Sequence, residues 1–292
     1  MSKEVLVCGF SDTSALAKNV AKILSCSYSD ISVNTFPDGE SLVKINISPK
    51  GKKVVIVASL AHNPDIKVVQ TLLAGGVARD NGAKKVFLMA TYMPYLRQDK
   101  SFHDFECVSA KEVMNLFCDK FDKVVVIDPH LHRIDSLKEY SKNAFEVSSI
   151  GVITDYLRKF KDDFVMVGPD EESYQWAKKI ASDLDKEVHI LIKNRKDSNN
   201  VKVTGENFSL KGKNAVIVDD IISTGHTLCE SLKLVKSKGV KSITCIGVHG
   251  ILAGNAETLI KKYANLITTN TILSKYSKID VSKLVADSIK EL

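Results

Sequence analysis

Two adjacent acids followed by a hydroxyl-rich turn form the most informative segment of the chain. Residues 215–227 read AVIVDDIISTGHT, so an apolar run ends at Asp219 and Asp220. The turn that follows consists of Ser223, Thr224, Gly225, His226 and Thr227. Hydroxyls and free backbone N–H groups at the start of a helix bind anions, and a glycine lets the backbone approach a phosphate closely. Paired carboxylates accept hydrogen bonds from a sugar diol or hold a divalent cation. The segment therefore predicts a site for a phosphorylated ribose; the alternative is a capped helix after a strand that ends in acids.

Short apolar runs, each followed by a helical pattern, must position these residues. The runs cover residues 53–58, 85–90, 123–128, 163–168, 188–192, 214–219 and 242–248. Because they are apolar throughout, they predict strands that are buried on both faces, as in parallel sheets flanked by helices. The alternation of strand and helix predicts the α/β class, whose ligands bind at the carboxyl ends of the strands.

Two segments of the chain share the same order of sequence features, which indicates an internal repeat. Residues 53–90 and 214–248 share the order strand, loop, helix, glycine, lysine, strand, and the glycine fits a helix C-cap. A length of 292 residues also suits two domains. We therefore expect two similar domains, 1–145 and 146–279, each a mostly parallel sheet flanked by helices, with the tail at about 280–292 packing back on the first.

Composition excludes several classes of protein. Lys and Arg total 41 against 35 Asp and Glu, a net charge of +6 with no basic run longer than two residues, which argues against a nucleic-acid-binding protein. No apolar stretch approaches the length of a membrane span. The six cysteines show neither CxxC nor zinc-finger spacing, so we expect free thiols in a reducing compartment, the cytoplasm.

The segment IVDDIISTGHT resembles the 5-phosphoribosyl 1-diphosphate (PRPP) signature shared by phosphoribosyltransferases and ribose-phosphate diphosphokinases. The chain has neither the GxxxxGK[ST] motif of a P-loop nor the GxGxxG motif of a dinucleotide-binding fold, so neither of these phosphate-binding motifs is an alternative to it. The resemblance implies that the turn grips the 5-phosphate of ribose 5-phosphate and that Asp219 fixes the ribose hydroxyls with Asp220 beside it. The signature alone does not separate the enzymes that make PRPP from those that use it.

Two amino-terminal segments resemble the PRPP-synthesising family. FPDGE at 36–40 is similar to its FxDGE loop, which implies that Phe36, Asp38, Gly39 and Glu40 bind ATP, in the site of a neighbouring subunit. Taken alone, the segment is a turn. YLRQDK at 95–100 is similar to the family's ARQDR/K segment, which implies that Arg97, Gln98 and Asp99 bind ATP. The guanidinium group suits a polyphosphate because it donates to two oxygens at once.

Three further segments extend the resemblance. VIDPH at 126–130 implies that His130 is a Mg²⁺ ligand, with His132 close enough to share its side, and GPDEE at 168–172 supplies Asp170 as the second ligand. KNR at 193–195 is similar to the family's KxR, which implies that Lys193 and Arg195 are catalytic and that Arg195 also binds ribose 5-phosphate. The polar stretch KDSNNVKV beyond it is expected to be a loop that closes over the substrates.

Some positions depart from the family's pattern. Ser223 stands where many members have Asp, His226 where Gly is usual, and EES follows Asp170 in place of a glycine pair. These departures resemble the short, archaeal-type branch.

The resemblance implies the reaction of ATP with ribose 5-phosphate to give AMP and PRPP, with Mg²⁺ as cofactor, in a homo-oligomer that is a dimer or a hexamer. It also implies an amino-terminal ATP-binding domain and a carboxyl-terminal ribose-5-phosphate-binding domain, both phosphoribosyltransferase-like. One alternative is a phosphoribosyltransferase that consumes PRPP. The other is a non-catalytic regulatory subunit, which should have lost the lysine of KNR or the paired acids, whereas this chain retains Lys193, Arg195, Asp219 and Asp220.

Overall fold

The computed structural model describes residues 4–101, 103–131, 133–197, 200–205 and 208–292. It divides the chain into two compact units. The amino-terminal unit holds the chain up to Ser148 together with Val281–Leu292, and the carboxyl-terminal unit is Ser149–Asp280.

Strands and helices alternate along both units. The strands are β1 Val5–Gly9, β2 Ser27–Thr35, β3 Ser41–Ile45, β4 Lys53–Ser59, β5 Lys85–Tyr92, β6 Lys123–Ile127, β7 Ala144–Val147, β8 Phe164–Gly168, β9 Val188–Asp197, β10 Asn200–Gly205, β11 Asn214–Ile222, β12 Ser242–Gly250, β13 Asn265–Thr269 and β14 Ser277–Ile279. The helices are α1 Ser14–Leu24, α2 Pro64–Asp80, α3 Ser109–Lys120, α4 Ile150–Leu157, α5 Glu171–Leu184, α6 His226–Ser237, α7 Ala256–Lys261 and α8 Ser282–Lys290, with a 3₁₀ turn at Leu137–Glu139.

The two units have the same topology. The sheet of the first has the order β3-β2-β1-β4-β5-β6-β7, and that of the second has the order β10-β9-β8-β11-β12-β13-β14, which is the same order seven strands later. In each sheet the edge pair, β2 with β3 and β9 with β10, is antiparallel, and the other pairs are parallel. The predicted α/β class and internal duplication are confirmed.

The duplication extends to single turns. A lysine–glycine–lysine sequence precedes the central strand of each sheet, with Gly51 at φ +72° and Gly212 at φ +75°. The N–H of Gly51 donates to the carbonyl of Gly82 at 2.8 Å, and that of Gly212 donates to the carbonyl of Gly239 at 2.9 Å. All four glycines have positive φ, which other residues adopt only with strain. Gly82 and Gly239 therefore end α2 and α6 as the C-capping glycines that the sequence pattern predicted.

Each sheet is covered by helices on both faces. In the first unit, α2 and α3 cover one face of the sheet, and α1 covers the other together with α8. Val281, Val285 and Ala286 of the carboxyl-terminal segment are fully buried against Val7 and Leu16. In the second unit, α6 and α7 cover one face and α4 and α5 the other.

The seven predicted strands are all present, but one predicted loop is not. The stretch after Lys193 and Arg195 continues β9 to Asp197, and β10 returns antiparallel to it, so most of the expected lid is a β-hairpin. Ser198 and Asn199, at its turn, lie outside the described residues. Among the described residues, no helix is both long and apolar enough to cross a bilayer.

Candidate active site

The hydroxyl-rich turn leads directly from β11 into α6. Gly225 is the N-cap of α6, at φ +74°, and it has no side chain to accept a hydrogen bond from the amides of the first turn. The alternative in which Ser223 or Thr224 caps the helix is therefore not what the structure shows. Thr224, His226 and Thr227 are exposed around this helix end. Free amides at the positive end of a helix dipole favour anions, and the phosphate site at this turn stays a prediction.

Gly225 is constrained by packing as well as by its backbone conformation. A Cβ atom on this residue would lie 3.3 Å from Cδ1 of Ile260 and 3.4 Å from Cβ of Ala256, both in α7. His226, where the family usually has glycine, begins the helix and is not among the residues with positive φ. The substitution at this position therefore introduces an exposed imidazole without backbone strain.

Asp219 and Asp220 are half-buried near the carboxyl end of β11. Adjacent residues of a strand point to opposite faces, so the two carboxylates have different surroundings. The hydroxyl of Ser173 donates to Oδ1 of Asp219 at 3.0 Å, whereas Oδ1 of Asp220 accepts from the N–H of Ile221 at 2.7 Å. Asp219 is thus hydrogen-bonded to a side chain of α5, and Asp220 is hydrogen-bonded to the backbone of its own strand.

Ser173 links Asp219 to the predicted metal ligand Asp170. Oδ1 of Asp170 accepts the N–H of Ser173 at 2.9 Å and so caps α5. The carboxyl end of β8 and the first turn of α5 are in close contact here, because a Cβ atom on Gly168 would lie 2.6 Å from Cα of Tyr174. Sequence reasoning missed Ser173, although Asp170 directly before a helical pattern is a common N-cap residue, which would place Ser173 in the first turn of the helix.

The segment after β12 supports the turn through its backbone. The N–H of Leu252 donates to the carbonyl of Ile222 at 3.0 Å, and that of Ala253 donates to the carbonyl of Ser223 at 3.1 Å. At the end of β12, His249 is buried, and its Nδ1 is 3.0 Å from the hydroxyl of Thr271. Sequence reasoning did not single out this support.

Burial raises the pKa of the Cys245 thiol well above its ordinary value, and the nearby Asp219 carboxylate raises it further. Cys245 is therefore a neutral thiol and not a nucleophile at this site. Cys8 and Cys229 are also buried and have raised pKa values, so all three behave as the small buried hydrophobes that their apolar surroundings indicated.

In the amino-terminal unit, Phe36–Glu40 is the tight turn that joins β2 to β3. The N–H of Phe36 donates to the carbonyl of Glu40 at 2.8 Å, and Oδ1 of Asp38 accepts the N–H of Glu40 at 3.1 Å. Gly39 has φ +94°, and Phe36 is 49% exposed although it is a large aromatic residue. The segment is thus a turn, as its composition indicates, and it presents an aromatic ring and two carboxylates to solvent.

Arg97 and Gln98 are exposed after β5, whereas the carboxylate of Asp99 is buried. Asp99 forms an ion pair with Arg133, and Oε1 of Gln98 accepts the hydroxyl of Ser109 at 2.7 Å. Asp99 therefore holds Arg133 in place, and its contact with ATP stays a prediction, as do those of Arg97 and Gln98.

The predicted metal ligands belong to different units. His130 is half-buried after β6 in the first unit, two residues beyond Asp128, which is buried and has φ +39°. Asp170 lies in the second unit, and His132 lies outside the described residues. Among the residues that are described, no group of three or more His, Cys, Asp or Glu side chains is arranged to hold a metal ion. The metal-ligand assignments stay predictions.

Lys193 and Arg195 lie in β9, opposite Val203 and Val201 of β10. Their catalytic roles stay predictions, because nothing beyond this backbone register is described for them.

Comparison with known proteins identifies the family. A model of the N-terminal domain of ribose phosphate pyrophosphokinase matches residues 5–120, and a model of the phosphoribosyl transferase domain matches residues 137–282. A ribose-phosphate pyrophosphokinase of Methanopyrus kandleri is 30% identical over 292 residues, which is 99% of each chain. One from Methanobrevibacter smithii is 32% identical over 306 residues, covering 98% of this chain and all of the relative.

The chain belongs to the ribose-phosphate pyrophosphokinase family. Its fold agrees with that of phosphoribosylpyrophosphate synthetase from Mycobacterium smegmatis, with a TM-score of 0.85 at 23% identity over 98% of both chains. The two units are therefore phosphoribosyltransferase-like domains, and the resemblance that the motifs indicated is confirmed. Ribose-phosphate pyrophosphokinases are metal-requiring enzymes. These similar proteins are archaeal, in agreement with the resemblance to the archaeal-type branch.

Proposed function

We propose that this ribose-phosphate pyrophosphokinase transfers the β,γ-diphosphoryl group of ATP to the anomeric hydroxyl of ribose 5-phosphate. The anomeric oxygen forms a bond to the β-phosphorus, the bond from that phosphorus to the α-phosphate oxygen breaks, and AMP leaves. The observation that carries the proposal is the uncapped start of α6 directly after Asp219 and Asp220, in a chain that matches its relatives over nearly its whole length.

The turn and the two acids divide the recognition of the sugar phosphate. The N–H groups at the start of α6, with the hydroxyls of Ser223, Thr224 and Thr227, take the 5-phosphate. Asp219, held by Ser173, accepts hydrogen bonds from the ribose hydroxyls, and Asp220 lies beside it. Fixing the sugar at both ends orients the anomeric hydroxyl for in-line attack.

ATP is assigned to the amino-terminal unit. Arg97 and Gln98 bind its phosphates, and a Phe36–Glu40 turn from a neighbouring subunit completes the nucleotide site. Lys193 and Arg195 stabilise the charge that spreads over the transferred group, and Arg195 also reaches the sugar phosphate. Removing one such preorganised donor typically costs about 3–4 kcal/mol of transition-state stabilisation.

Mg²⁺ is the metal that we propose. The carboxylates of Asp170 and of Asp219 or Asp220, at the ends of the paired strands β8 and β11, supply the hard oxygen donors that this cation prefers. His130 is assigned as a further ligand. When bound, the cation neutralises charge on the ATP phosphates. We also place the protein in the cytoplasm, where its six free cysteines stay reduced.

The test is AMP formation from ATP in the purified chain. We expect AMP and PRPP to form only when ribose 5-phosphate and Mg²⁺ are both present. Formation of ADP in place of AMP would refute the proposed transfer. Binding of both substrates without turnover would instead favour the non-catalytic alternative. Consumption of added PRPP with a nucleobase in the absence of ATP would favour the transferase alternative.

A further inference from the structure

Lys193 and Arg195 lie on a pair of strands that extends beyond the rest of its sheet. β9 has ten residues, and only the first three, up to Ile190, pair with β8. In the described part of the chain, the remaining residues of β9 pair with β10 alone. We call residues 191–197 and β10 the ribbon. It extends roughly 20 Å past β8, and because two isolated strands have little stability of their own, its position depends on how its base is held.

Two aromatic side chains stack at the base of the ribbon. His189 lies just before the ribbon begins, and Phe208 lies three residues after β10 ends. The two rings have their centroids 4.0 Å apart, and their planes are 9° from parallel. Two residues beyond each ring, Leu191 and Leu210 are fully buried in the core of the unit. The stack therefore joins the segments that enter and leave the ribbon at the point where both meet the core.

Both rings also have charged partners. Nζ of Lys238 lies 4.1 Å from the centroid of the Phe208 ring and donates to the carbonyl of Phe208 at 3.2 Å. An ammonium group over an aromatic face is attracted to it electrostatically. Nε2 of His189 lies 2.7 Å from Oε1 of Glu187, and Glu187 forms an ion pair with Lys213. These contacts fix the orientation of each ring in addition to the stacking between them.

Helix α6 connects the base of the ribbon to the proposed phosphate turn. Its first residue, His226, belongs to that turn, and its C-cap is Lys238, which contacts Phe208. The twelve residues of α6 span about 18 Å. One helix thus contacts the base of the ribbon at one end and begins in the phosphate turn at the other.

We propose that the His189–Phe208 stack anchors the ribbon, and that both residues are positioning residues for Lys193 and Arg195. The inference rests on the proposed function, because it gives the position of the ribbon a role in diphosphoryl transfer. A tilt at the base displaces the groups that the ribbon carries, and a misplacement of about 1 Å can cost about a hundredfold in rate. Loss of the stack should therefore slow the reaction without weakening the binding of ATP, which is assigned to the other unit.

Hydrogen–deuterium exchange of the full chain without substrates tests the anchor. Phe208→Leu keeps an apolar side chain but removes the ring, and Phe208→Tyr keeps the ring. The matched control is Phe160→Leu, since Phe160 is a partly buried phenylalanine of the same unit that packs edge-on against Phe164 at 5.8 Å. The ribbon amides should exchange about tenfold faster in Phe208→Leu and at the wild-type rate in the other two variants. Equal rates in wild type and Phe208→Leu, or an equal change in the control, would overturn the inference.

AMP formation tests the positioning role. The kcat of Phe208→Leu should fall about tenfold while the calorimetric Kd for ATP changes less than about twofold, and Phe208→Tyr should keep the wild-type rate. His189→Ala should act similarly, and combining it with Phe208→Leu should cause little further loss, because the two rings act as one unit.

Faster exchange with an unchanged kcat would overturn the positioning role, and so would losses from the two substitutions that simply multiply. A wild type that forms no AMP would refute the proposed function and the positioning role with it. In that case the exchange rates would still show whether the stack anchors the ribbon, so the two failures are distinguishable.

Discussion

Ser173→Ala tests whether the hydroxyl that holds Asp219 sets the affinity for the sugar phosphate. The variant removes the 3.0 Å hydrogen bond from the hydroxyl to Oδ1 of Asp219. It leaves the backbone N–H that Asp170 accepts, so the cap of α5 remains. Ser173 is only 7% exposed, and alanine fills nearly the same space.

The expected magnitude follows from the type of bond. A hydrogen bond to a charged group contributes about 1.5–3 kcal/mol, and the half-buried position of Asp219 places this one at the lower end. Since about 1.4 kcal/mol corresponds to a factor of ten, KM for ribose 5-phosphate should rise about tenfold. KM for ATP should change less than twofold, because Ser173 has no assigned role toward the nucleotide.

The assay is AMP formation at varied ribose 5-phosphate, with calorimetric titration of the sugar phosphate as an independent measure of affinity. Ser288→Ala is the matched control, since Ser288 is 8% exposed and its hydroxyl donates to the carbonyl of Leu284 within α8. An unchanged affinity for ribose 5-phosphate in Ser173→Ala, or an equal change in the control, would refute the reasoning.

Three further changes have defined outcomes. Gly225→Ala should lower the free energy of unfolding by about 1–2 kcal/mol, because alanine is strained at φ +74°. It should also weaken the binding of ribose 5-phosphate. Urea titration measures the first effect, and a variant with unchanged stability and affinity would contradict the prediction. Lys193→Ala should reduce kcat about 10²–10³-fold while the calorimetric Kd for ATP stays within a few-fold, since its assigned role is in the transition state; an equal loss of binding and rate would exclude that role. Asp122→Asn should destabilise the protein at pH 7 by about 1–2 kcal/mol, because Asp122 bonds to Lys85 at 2.8 Å and Arg79 at 3.1 Å. Burial opposes ionisation of this carboxyl, but Lys85, the N–H of Val86 and Arg79 outweigh it and lower its pKa from 3.8. The difference between variant and wild type should therefore be full above about pH 5 and should shrink as the pH falls through the lowered pKa. Urea titrations across this range check it, and a constant difference would contradict the assignment.

The central strands of both sheets could be predicted from sequence because burial on both faces leaves them apolar throughout. β4 and β11 show this most clearly. The antiparallel edges could not be predicted in the same way. In β2, the sequence SYSDISVNT is largely polar, and only Ser29 and Ile31 are buried. The end of β9 and most of β10 are formed by the polar stretch that suggested a loop. Edge strands meet solvent, so their composition resembles that of loops.

The turn at 223–227 could be proposed as a phosphate site from sequence because all its residues lie within one continuous segment. Ser173 and His249 could not be found in this way, since their partners Asp219 and Thr271 are 46 and 22 residues away and only the fold brings them together. Asp99 shows a different limit: the motif at 95–100 predicts a contact with ATP, whereas the structure shows that its buried carboxylate forms an ion pair with Arg133.

The packing of α8 gives the biosynthesis of this enzyme a fixed order. Val281, Val285 and Ala286 fill the face of the amino-terminal sheet that α1 leaves incomplete. The half of the protein that is translated first therefore cannot complete its core until the last helix has been made, after every strand of the carboxyl-terminal sheet. Until that helix packs, the apolar residues of α1 and the first sheet that it covers stay exposed, and such exposed surface favours aggregation of the nascent chain.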